Sequence, residues 1–143
     1  MFSVVLLLTY GAGYWLKKQN SRSIKQSVNF SNCDPSNDVC QIKTDDVTYS
    51  VKFNSPPSAL VPFEVDIEVF DNFPQSIAIV FDMDGMDMGF NEYVLVKNAN
   101  TWRAKVILPI CSLGKKQWIL RVKLKYDNEE NITHFKFVQS HMK

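Results

Sequence analysis

With 143 residues, of which 45% are hydrophobic and 13% aromatic, the chain can build one core of ordinary domain size. Lys and Arg total 16 against 15 Asp and Glu, a net charge of +1, which gives no electrostatic basis for binding nucleic acid or an acidic partner. The chain has two histidines, His134 and His141, and five scattered glycines, with no nucleophile, zinc or phosphate-loop motif, so a non-enzymatic protein is expected.

The first element is residues 2–16, FSVVLLLTYGAGYWL, which carry no charge and end at Lys17-Lys18. The run is shorter than the roughly 20 apolar residues of an ordinary spanning helix, and it lacks the basic start of a secretory signal peptide. Gly11-Ala12-Gly13 offers a cleavage site, but Tyr10, Tyr14 and Trp15 suit an interfacial aromatic belt. The expectation is a single-pass membrane anchor over 1–16. Lys17, Lys18, Arg22 and Lys25 follow it, and the positive-inside rule alone would keep the domain in the cytoplasm. The cysteines argue instead for export.

Residues 17–38 are rich in Ser, Asn and Lys without periodicity, as in a polar tether. Cys33 and Cys40 flank the polar stretch DPSNDV, which offers no core to shelter a thiol, so a disulfide involving at least one of them is expected. With Cys111 there are three possible pairings, and all three stay open. Six intervening residues do not give the tight spacing of a cysteine metal knuckle.

From about residue 39 to 143 the period is two. Val47, Tyr49, Val51 and Phe53 alternate with polar residues until SPP breaks the ladder. Val61, Phe63, Val65, Ile67 and Val69 share one face, with Glu64, Asp66 and Glu68 on the other. Ile77 to Phe81 is a continuous apolar run, as in a strand buried on both faces. Further strands are expected around Tyr93–Lys97, Trp102–Leu108, Trp118–Tyr126 and Ile132–Gln139. About seven strands with regular turn signals describe an all-β, immunoglobulin-like antiparallel sandwich. Trp102 and Trp118 fall on apolar faces and are expected in the core. Asn131-Ile132-Thr133 fits a glycosylation sequon, though nothing in the sequence points to a pathway that would use it.

Between two of these strands lies DMDGMDMGFN, residues 82–91, which holds three of the chain's five methionines. Asp82, Asp84 and Asp87 resemble a fragment of a calcium loop but lack its bidentate glutamate. Thioether sulfur is a soft neutral donor that selects Cu(I) over hard ions. In extended backbone Met86 and Met88 would share a face, and Met83 could join them if the chain folds back at Gly85. Cys111 and His134 are further candidate donors that no spacing places nearby, as is His141. A metal-free arrangement is equally open, with the methionines filling an irregular gap at the end of the core, as is docking through an exposed soft patch.

The anchor, the paired cysteines, the small sandwich, the segment MDMGFNEYVL and the hairpin TWRAKVILPIC together resemble the broad FixH-like and YtkA-like group of bacterial membrane-anchored periplasmic proteins. The resemblance implies an accessory role in copper handling or cytochrome oxidase assembly, on the periplasmic side of the inner membrane. Met86 and Met88 correspond to the group's methionine segment and Cys111 to its cysteine after the tryptophan strand. It further implies a copper-recipient protein or membrane enzyme complex as partner. The alternative expectation is a metal-free immunoglobulin-like interaction module docking on a membrane complex.

Overall fold

The computed structural model describes residues 23–86 and 91–140. Among the described residues ten strands run in the order β1 (Lys25–Ser31), β2 (Cys40–Lys43), β3 (Thr48–Phe53), β4 (Phe63–Val69), β5 (Ser76–Asp82), β6 (Glu92–Val94), β7 (Val96–Asn98), β8 (Thr101–Val106), β9 (Gln117–Lys125) and β10 (Glu129–Val138). They form two five-stranded sheets, β1-β10-β9-β5-β6 and β2-β3-β4-β8-β7. Every pairing is antiparallel except β1 with β10. The immunoglobulin-like all-β sandwich expected from the sequence is therefore present, with ten strands in place of about seven.

The alternating faces become the two walls of the core. Val65, Ile67 and Val69 of β4 and Tyr49 and Val51 of β3 face Leu120, Val122 and Leu124 of β9 and Phe135 of β10, all fully buried. Trp102 and Trp118 are buried with them. β5 is buried on both faces, as its continuous apolar run requires, because it lies inside its sheet between β9 and β6. Its outward Ala78 and Val80 pair in register with Lys123 and Arg121 of β9. Those two cations bond to Glu92 and Asp82, which draws their aliphatic stems across the strand.

The additional strands have specific origins. Lys25–Ser31, within the stretch whose composition reads as tether, forms β1 at the edge of the first sheet. Cys40–Lys43 forms β2. The single strand expected around Tyr93–Lys97 is divided at the buried Leu95, so that β6 joins one sheet and β7 the other.

Cys33 and Cys40 form a disulfide, and Cys111 is a free, buried thiol. Asn131 of the sequon is only 4% exposed and sits within β10, which removes it as an accessible glycan acceptor in the folded domain. Among the described residues no helix is long and apolar enough to cross a membrane. The expected anchor over 1–16 lies outside the described residues.

Candidate functional site

Three sulfur-bearing residues, Met83, Met86 and Cys111, gather at one end of the sandwich. β5 ends at Asp82, and Met83-Asp84-Gly85-Met86 then reverses the chain, with the Met86 N–H donating to the Met83 carbonyl at 3.3 Å. Gly85 has φ +71° in open space, so glycine is needed there for the backbone conformation and not for room. The turn sends its two methionines to different places. Met83 is 4% exposed and belongs to the core cluster around Phe81, whereas Met86 is half-buried and packs against that cluster from the rim.

Cys111 enters from the long connection between β8 and β9. Its carbonyl accepts the Gly114 N–H at 3.0 Å, and Gly114, at φ +68°, closes that second turn. The Cys111 Sγ lies 3.3 Å from the Met86 Sδ, with the thiol donating to the thioether. The spacing arguments available from sequence could not place Cys111, 25 residues away, beside the methionine segment. The structure brings these two sulfurs together.

Met88 lies outside the described residues, as do Asp87 and His141. His134 is placed elsewhere: its neighbours Thr133 and Phe135 point into the core, so its own ring lies on the outer face of the sheet. There it meets the Phe30 ring edge-on at 4.8 Å. Partial burial lowers its pKa below the ordinary histidine value and the neighbouring Arg121 adds to this, while Asp82 opposes them. Among the described residues no three His, Cys, Asp or Glu side chains are grouped to hold a metal ion. Any metal here would depend on the soft donors, Met86 and Cys111, with the thiol giving up its proton and the thioether having none to lose.

The surroundings of the sulfur pair are apolar at the rim. Leu60, Val61, Ile110 and Leu113 are each at least half exposed, on the two connections that flank it. These connections are tied together by the Leu60 N–H donating to the Leu108 carbonyl at 2.9 Å and by the bridge between Ala59 and Leu108. The sequence signal for this rim was the apolar run LPICSL inside a turn, where polar residues are the rule. Beside the turn, Asp84 and Asp34 border a shallow cavity of about 250 Å³ floored by Trp118 and Phe137. The Asp34 carboxylate accepts the Ser36 N–H and hydroxyl at Oδ1 and the Asn37 amide at Oδ2, so three of its four acceptor sites are taken by its own loop.

No family model matches the chain. No curated protein matches it either. Among solved structures it is similar to an engineered protein determined by crystallography, with 10% identity and a TM-score of 0.49. That match covers 71% of this chain and 20% of the engineered protein, so this chain spans about one fifth of the other's length. A likeness at that level says nothing of function.

Proposed function

We propose that the protein is a membrane-tethered, extracytoplasmic, non-enzymatic accessory protein that binds Cu(I) at the Met86–Cys111 end of its sandwich and passes it on, in copper handling or oxidase assembly. The observation that carries this reading is the 3.3 Å approach of the Met86 Sδ and the Cys111 Sγ at a half-buried position. Two soft donors already adjacent need little rearrangement to share a soft ion, and Met88, four residues from the Met83–Met86 turn's Asp84, is the third donor the sequence supplies. Met83 serves the core, since its burial leaves it packing to do.

A second reading, a metal-free interaction module, is supported by the exposed Leu60, Val61, Ile110 and Leu113 around the same end. The two readings part on one experiment. An anaerobic Cu(I) competition titration of the full chain against a chromophoric chelator is expected to show stoichiometric binding that is lost in Met86→Leu/Cys111→Ser. Equal binding by both proteins, or none by either, would sink the copper reading and leave the apolar rim as the surface to pursue.

A further inference from the structure

The opposite end of the sandwich is where the chain enters the domain. The Lys25 N–H, at the start of β1, donates to the Asn128 carbonyl at 3.0 Å. The Tyr126 hydroxyl donates to the Asn72 carbonyl at 2.8 Å, and the Gln75 N–H to the Lys125 carbonyl at 2.8 Å. These bonds fasten the connection between β4 and β5, Phe70-Asp71-Asn72-Phe73-Pro74-Gln75, beside the entry point.

That connection is pinned to the neighbouring turn by its polar side chains. Asp71 accepts the Thr48 N–H at 2.6 Å, and the Asn72 side chain donates to the Asp46 carbonyl at 2.8 Å from a backbone at φ +44°. The exposed Asp71 and Asn72 thus pin the connection to the neighbouring turn, and Phe70, 49% exposed, and Phe73, 48% exposed, stand at the surface beside them. Ile24, just before β1, is 60% exposed.

The length of chain upstream says what covers these rings. Residues 2–16 are uncharged and apolar, and only residues 17–24 separate them from β1. Eight extended residues reach at most about 29 Å, so the entry end stays close to whatever holds the apolar segment. Exposed phenylalanine rings held beside a bilayer gain by burying their apolar surface at the boundary between headgroups and acyl chains. The rim also carries Asp45, Asp46, Asp71, Asp127 and Glu129 beside Lys25, Lys43, Lys125 and Lys97, whose Nζ lies 5.8 Å from the centre of the Phe73 ring, so the rim has no excess of positive charge with which to hold anionic headgroups.

We propose that Phe70 and Phe73 rest in the interface of a zwitterionic lipid bilayer and hold the domain upright on it. The sulfur-bearing end then stands a strand's length away, about 30 Å for the nine residues of β9. The lipid contact is independent of copper. Only the consequence, that a copper-exchanging partner must reach well above the membrane, rests on the proposed function.

The test places a nitroxide on the full chain in phosphatidylcholine nanodiscs, at Phe70→Cys, Phe73→Cys or Ile110→Cys, each in a Cys111→Ser background. Each single change leaves the other phenylalanine in place, and all three positions are half-exposed, so the fold is retained. Labels at 70 and 73 are expected to collide several-fold more with oxygen, and less with a water-soluble nickel chelate, than the label at 110. Equal nickel access at all three positions overturns the proposal, as does greatest protection at 110 or a chain that fails to associate with the discs. Retained Cu(I) binding in the Phe70→Ser/Phe73→Ser chain separates failure here from failure of the copper reading.

Discussion

The Tyr49 hydroxyl donates to the Thr133 Oγ1 at 2.6 Å across the interior, joining β3 of one sheet to β10 of the other with both residues fully buried. Removing one partner strands the other in a dry core. Tyr49→Phe is expected to cost about 1–3 kcal/mol in urea unfolding, and Tyr49→Phe/Thr133→Val less than Thr133→Val and Tyr49→Phe added together. Additive losses would show the bond to be energetically idle.

The same phenol makes stability fall at high pH. Burial drives the Tyr49 pKa well above its ordinary value, more than the Thr133 bond pulls it back, and burial with Asp71, Asp46 and Glu129 pushes Tyr126 up to about 12. The unfolded chain ionises both phenols near 10, while the folded chain keeps them protonated. Their contribution is therefore complete below pH 10 and is lost as pH rises above it. Thermal unfolding between pH 9 and 12 should show this decline, and it should be shallower in Tyr49→Phe. A flat profile would contradict the assignment.

The Cys33–Cys40 disulfide closes a short loop over β3, where the Pro35 carbonyl accepts the Phe53 N–H at 3.1 Å. For a separation of 7 residues, chain entropy gives about 2–3 kcal/mol of stabilisation. Cys33→Ser/Cys40→Ser should lose about that much. In denaturant without reductant the native chain should titrate one thiol, that of Cys111, and with reductant three, matching its cysteine content.

Gly85 holds the Met83–Met86 turn at φ +71°. Gly85→Ala is expected to cost about 1–2 kcal/mol because a Cβ disfavours that conformation. It should also loosen Met86 from Cys111, read as faster reaction of the Cys111 thiol with a disulfide reagent. Gly85→Asn should be milder on both measures. Unchanged thiol reactivity in Gly85→Ala would show that the turn does not position the sulfur pair.

On the outer face of the second sheet, Arg103 grips Asp66 through its Nε at 2.5 Å and its Nη2 at 2.9 Å, leaving the aspartate 6% exposed. A buried carboxylate without its cation is costly. Arg103→Gln should lower the urea midpoint, and Arg103→Gln/Asp66→Leu should recover part of it. No recovery would mean that the arginine acts mainly through packing.

The strands that bury one face, such as β4 and β9, were legible because a period of two leaves its mark in composition. β1 was not, because its inward positions are polar: Ser27, Asn29 and Ser31 face the sandwich, and Asn29 bonds to Asn131 at 3.2 Å, while Val28 and Phe30 point outward. Its pattern is inverted, so a stretch of Ser and Asn reads as tether. The break at Leu95 was hidden for the opposite reason, since alternation continues through the residue while its neighbours change sheets. Of the site, the methionine turn and its glycine hinge were visible in the sequence. The meeting of Met86 with Cys111 was not, because it depends on how two connections fold over one end of the core.

The division at Leu95 has a counterpart on the other flank. β6 and β7 are consecutive in the chain and edge opposite sheets, and so are β1 and β2, whose connection carries the disulfide. Both seams of the sandwich are thus sewn by the backbone itself, and the sheets cannot gape apart like the covers of a book without breaking local structure. What remains are the two mouths, one stoppered by Met83 and Cys111 and the other ringed by Phe70 and Phe73. Slow hydrogen exchange along both seams, with earlier opening at the mouths, is the pattern such a sleeve would leave.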